Sequence, residues 1–153
     1  GHYKDGYRDG EGENYDDKGN LQRKAEYKKG KFHGKSISYT VFPDDETNER
    51  RESCIQYYKD GQQHGTAETY SYCHKAQDPQ KKYHLQTKCN YENGVTEGLQ
   101  SQFTIDPKNF QYRKGLEYFM VKGKHHGEYI SYTTGEVRAS LQKFNMGVCT
   151  YSV

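Results

Sequence analysis

The chain has 153 residues, enough for one domain, and carries 23 Lys and Arg against 21 Asp and Glu. A formal net charge of +2 makes no field strong enough to steer it to nucleic acid or anionic lipid, and no apolar run approaches the roughly 20 residues of a membrane-spanning helix. Mean hydropathy is only −1.29, but 16 Tyr and 6 Phe set the chain apart from disordered sequences, which are poor in aromatics.

The first 15 residues introduce a motif that recurs along the chain: an aromatic, two residues, Gly, three residues, Gly, four residues, an aromatic. It reads Tyr3, Gly6, Gly10, Tyr15, and is followed by a polar stretch, Asp16 to Asn20. The second copy is Tyr27, Gly30, Gly34, Tyr39, before the stretch Pro43 to Arg50. Next come Tyr58, Gly61, Gly65, Tyr70 with His74 to Lys82, and Tyr91, Gly94, Gly98, Phe103 with Asp106 to Gln111. The fifth copy, Met120, Gly123, Gly127, Tyr132, precedes Thr133 to Glu136, and a partial sixth begins at Phe144 and Gly147. Copies start 24, 31, 33, 29 and 24 residues apart. All the variation lies outside the motif, so the intervening stretches are loops that tolerate insertion.

The first glycine of each copy stands where a tight turn needs positive φ, and the second permits a further bend. Apolar residues then alternate: Ile37, Tyr39 and Val41; Leu99, Phe103 and Ile105; Leu85, Cys89 and Tyr91; Leu116, Tyr118 and Met120. A period of two predicts strands, and no window has a helical period. Pro43, Pro79 and Pro107 all fall in the variable stretches, the expected hairpin tips. The expected fold is therefore all-β: one domain over 1–153, an elongated array of tandem antiparallel hairpins starting near 3, 27, 58, 91, 120 and 144. Its thin core would rely on Tyr, whose ring buries while its hydroxyl stays wet.

Y-K-D-G-Y-R-D-G, Y-K-K-G-K-F-H-G and Y-K-D-G-Q-Q-H-G resemble MORN (membrane occupation and recognition nexus) repeats. They are most similar to the bacterial variant of antitoxin-like proteins, in which Y-x-x-G-K-x-x-G recurs. The resemblance spans Tyr3 to Gly147. It implies an interaction role: scaffolding, dimer formation, phospholipid contact, or neutralising a partner toxin. It brings no catalytic residues and no cofactor. A third glycine two residues on is present only at Gly12, Trp is absent, and the middle hairpins are longer than the standard unit. These departures weaken the transfer of lipid contacts from eukaryotic members.

His33, His64 and His126 share one repeat position, with His125 beside the last. Equivalent positions in adjacent repeats lie roughly 10 Å apart, too far to share a zinc ion, so they are expected as polar turn residues and no metal is expected. Cys54, Cys73, Cys89 and Cys149 form no C-x-x-C pair and are expected as thiols in or near strands, with disulfides and compartment left open. Cys73-His74 is adjacent in sequence only, and no nucleophile elbow or nucleotide fingerprint appears. Lys28, Lys29, Lys31, Lys59, Lys122 and Lys124 recur at the turns, offset by Asp60, Glu92 and Glu97.

Two features point to a protein partner. Asp44, Asp45 and Glu46 make an acidic run in the second tip, suited to a basic cleft. Phe42, Tyr57, Phe110, Tyr112 and Phe119 do not all fit the inward face, and exposed aromatics anchor interfaces. A free C-terminal edge strand would allow self-association. The expected function is a non-catalytic protein–protein interaction module, in its specific form an antitoxin or immunity-type protein that neutralises a toxin partner. The alternative is a membrane-associated or dimerising scaffold that binds anionic lipid.

Overall fold

The computed structural model describes residues 3–4, 6–134 and 137–153. The last expected tip, Thr133 to Glu136, runs partly outside them. The strands are β1 (Tyr3–Lys4), β2 (Tyr7–Arg8), β3 (Gly10–Tyr15), β4 (Leu21–Lys28), β5 (Lys31–Val41), β6 (Arg50–Lys59), β7 (Gln62–Gln63) and β8 (Gly65–Tyr72). They continue with β9 (Tyr83–Glu92), β10 (Val95–Thr96), β11 (Gly98–Ile105), β12 (Tyr112–Val121), β13 (Lys124–Tyr132), β14 (Arg138–Asn145) and β15 (Val148–Ser152). β1 and β2 pair with each other; β3 to β15 form one open antiparallel sheet in which strands adjacent in sequence are neighbours in space. One turn of 3-10 helix, Pro79–Lys81, interrupts the third tip, capped by Asp78, which accepts the Gln80 N–H.

The motif has a conformational meaning. Lys29-Gly30, Asp60-Gly61, Asn93-Gly94, Lys122-Gly123 and Met146-Gly147 are all left-handed pairs, with φ of 46–53° at the first residue and 77–91° at the glycine. Two consecutive positive φ values make a type I′ turn, whose twist matches that of paired strands. The second glycine is held by packing as well as by φ: at Gly34 (φ 100°) a Cβ would collide with the Glu26 carboxylate, which accepts the Lys35 N–H at 2.5 Å. The closing aromatics, Tyr15, Tyr39, Tyr70, Phe103 and Tyr132, each sit at a register shift in the pairing with the next strand.

One expected face is corrected. Leu99, grouped by its spacing with Phe103 and Ile105, lies opposite Phe119 and is 44% exposed. The extra residues of the bulges lie on the partner strands, Ser53 on β6 and Gly115 on β12. A bulge puts two residues against one, so alternation restarts on the far side in the strand that carries the extra residue.

Successive turns are stitched together. The N–H groups of Gly30, Gly61, Gly94, Gly123 and Gly147 donate to the carbonyls of Arg8, Phe32, Gln63, Thr96 and His125 in the preceding copy, at 2.7–3.0 Å. The core is thin, as expected. Ala25, Ala67, Met120 and Leu141 are among its few buried apolar residues, and rings cover the rest: Phe32 stacks on Tyr27 at 5.1 Å and packs tilted on Tyr58 at 5.0 Å. In the fifth copy Met120 takes a buried place while Tyr118 stacks on Tyr129. Gln100 is buried between β9 and β11. Its Nε2 donates to the Asn90 and Gly98 carbonyls and its Oε1 accepts the Asn90 N–H, closing a gap in the ladder.

Candidate functional site

The tips are laced to one another. Arg50 reaches back to the Leu21 carbonyl at 3.2 Å. Asp44 accepts the His74 N–H at 2.6 Å and also meets its ring Nδ1. The Gln77 N–H donates to the Phe110 carbonyl at 2.8 Å, and Thr134 donates to Asp106 at 2.5 Å. The acidic run is thereby divided. The Asp45 side chain has no exposure and lies 2.7 Å from Arg51 Nε. Its other oxygen accepts from the Thr47 N–H and hydroxyl. Burial pushes its carboxyl up, but the Arg51 guanidinium and Thr47 outweigh that and hold it at about 2.

Asp106 repeats the device in the fourth tip. The Thr134 hydroxyl and the Lys108 N–H, with Arg113 Nε at 2.9 Å, hold its carboxyl at about 2 against burial. Asp45 is therefore a loop-folding residue with no free carboxylate to offer a basic cleft. Asp44 is committed to His74, and only Glu46 is left fully exposed. Asp, a donor two residues on and an Arg six or seven residues on was the legible signal in both tips.

The aromatics also divide. The Tyr112 hydroxyl donates to the Leu85 carbonyl and the Tyr83 hydroxyl to the Glu52 carbonyl, both at 2.6 Å. Tyr112 stacks on Phe103 at 5.7 Å, and Phe42 packs on Tyr83 at 6.2 Å. These two predicted anchors hold adjacent hairpins together. Phe110 is left-handed at φ 58° and 37% exposed, with Lys75 Nζ over its ring. Tyr57 and Phe119, at 39% and 43%, do point outward. Phe119 lies opposite Leu99, and with Ile130, Glu117, Glu128 and His126 they line a groove of about 300 Å³.

The histidines hold turns. The N–H groups of Asp60, Asn93 and Met146 donate to Nδ1 of His33, His64 and His126 at 3.2, 3.3 and 3.3 Å. In the fourth copy Glu97 occupies the equivalent position and accepts the Lys122 N–H at 2.6 Å. Each residue thus latches the next repeat's left-handed turn, a role beyond that of a solvated turn residue. His125 lies instead among the rings of Tyr118, Tyr129 and Phe144, at 5.0–5.4 Å.

All four thiols are free, and burial raises the pKa of Cys54 and Cys89, which makes them poor nucleophiles. β15 forms one outer edge of the sheet, with Val148 and Tyr151 exposed. No protein-family model and no curated protein matches the sequence.

Proposed function

We propose that the chain is a non-catalytic protein–protein interaction module. The observation that carries this reading is the outward pair Leu99 and Phe119, 44% and 43% exposed in the interior of a sheet rather than at its edge. Scattered exposed apolar residues are ordinary, but a cross-strand apolar pair beside a groove gives a partner something to desolvate. The motif's resemblance to MORN repeats supports the narrower reading, an antitoxin or immunity-type protein that blocks a toxin domain by occlusion.

The test is capture of a stoichiometric partner from the native source by the wild-type chain and by Phe119→Ser. A partner held by wild type and lost by the variant supports the module. Binding of neither to any protein, together with sedimentation on anionic vesicles that Lys29→Glu with Lys122→Glu abolishes, overturns it in favour of a lipid-bound scaffold.

A further inference from the structure

The sheet contains its own comparison for the Leu99–Phe119 pair. The cross-strand pairs at the same place in the other repeats are Glu11–Glu26, Lys35–Tyr57, Thr66–Asn90 and Glu128–Lys143. Each contains a charged or polar residue, and in one of them the Thr66 hydroxyl donates to Asn90 Oδ1 at 3.1 Å. The repeat therefore works with polar side chains here, and packing does not call for Leu and Phe. The apolar exception sits in one pair only, beside Ile130, whose cross-strand neighbour is Glu117.

Charged side chains stand at the walls of this floor. The groove is lined by two carboxylates, Glu117 and Glu128, and by no Lys or Arg. Glu117 is bound to Lys114 at 2.6 Å. Glu128 enters no ion pair among the described residues, and its cross-strand neighbour Lys143 places Nζ 5.4 Å from the Tyr151 ring centre. β11, β12 and β13 are interior strands with a neighbouring strand on each side, so an occupant is recognised by its side chains and not by strand addition. A second copy offering the same face would set carboxylate against carboxylate, which disfavours self-pairing here.

We propose that the Leu99–Phe119–Ile130 groove binds a protein partner's segment that presents an apolar side chain next to a Lys or Arg. This rests on the interaction-module reading. The apolar side chain buries against Leu99 and Phe119, and the cation meets the unpaired Glu128 at the rim.

The experiment titrates the isotope-labelled full chain with three peptides, Arg-Leu-Ser-Phe-Arg and its counterparts with Ser or Glu in place of Arg, followed by amide NMR. The expected result is saturable shifts around Leu99, Phe119, Glu128 and Ile130 with the Arg peptide, and much weaker effects with the other two. Phe119→Ser weakens binding roughly tenfold to a hundredfold. Glu128→Lys weakens it roughly fivefold and favours the Glu peptide; its unchanged amide spectrum elsewhere shows that the fold is intact. Equal response to all three peptides, shifts centred on other carboxylates, or no shift up to the solubility limit overturns the proposal. If the peptides fail while the captured partner is still lost on Phe119→Ser, the groove's chemistry is wrong and the module reading stands. If no protein partner is captured either, both fall.

Discussion

Removing the histidine latches tests whether neighbouring repeats are coupled through their turns. In His33→Ala, His64→Ala and His126→Ala the N–H groups of Asp60, Asn93 and Met146 lose their acceptors. The three turn residues are exposed, so water takes the acceptor's place. Each bond is also long, 3.2–3.3 Å, so its loss costs about 0.5 kcal/mol, well short of the cost of an orphaned buried donor. The three sit at different repeat boundaries and share no partner, so their effects add. The triple variant therefore loses about 1.5 kcal/mol, a fall in Tm of roughly 3–6 °C for a chain of this size. Glu97 is the internal control. Its carboxylate accepts at 2.6 Å, a charge-assisted bond, so Glu97→Ala alone costs about 1–1.5 kcal/mol, and His64→Glu retains wild-type stability or exceeds it. Thermal melts give the total, and amide hydrogen exchange at Asn93 gives the local effect. A triple variant that melts with wild type, or unchanged Asn93 exchange in His64→Ala, refutes the coupling.

Met146 holds φ 46° in a turn position that Asn93 fills elsewhere, and Asn tolerates the left-handed region better; Met146→Asn should therefore raise stability by about 0.5–1 kcal/mol, read as a higher urea midpoint. The carboxyls of Asp45 and Asp106 are held at about 2, below the unfolded value near 4. Their contribution is thus complete above about pH 4 and is lost as pH falls toward 2. The urea midpoint should drop across that window, and the Asp45→Asn, Asp106→Asn double variant should lack most of the drop. Gln100→Leu keeps the volume but strips Asn90 and Gly98 of their buried partners, a loss of about 1–3 kcal/mol; a denaturation curve superposable on wild type would show that the ladder does not need this side chain.

The hairpin array was legible because its determinants are local. The left-handed pairs at Gly30, Gly61, Gly94, Gly123 and Gly147 and the bulges at the closing aromatics repeat at fixed spacing, and spacing survives in a sequence. What was lost depends on residues distant in the chain. His64 meets a turn 29 residues later, and the same distance hides why a position between two glycines favours an acceptor. Asp44 and Asp45 are indistinguishable as neighbours, yet one closes onto Arg51 within its own loop while the other bonds to His74, 30 residues away. The outward aromatics failed for a third reason: which of them meets a neighbouring hairpin depends on residues far along the chain, so Tyr112, whose hydroxyl donates to the Leu85 carbonyl 27 residues away, was grouped with Phe119, an exposed ring. Phe119 itself could have been singled out by aligning the repeats on their first glycine. In that alignment it stands where other copies carry Glu26, Tyr57, Asn90 and Lys143. A residue that departs from its own repeat at a solvent-facing position answers to something other than the fold, and that internal contrast is the strongest functional signal available in this chain.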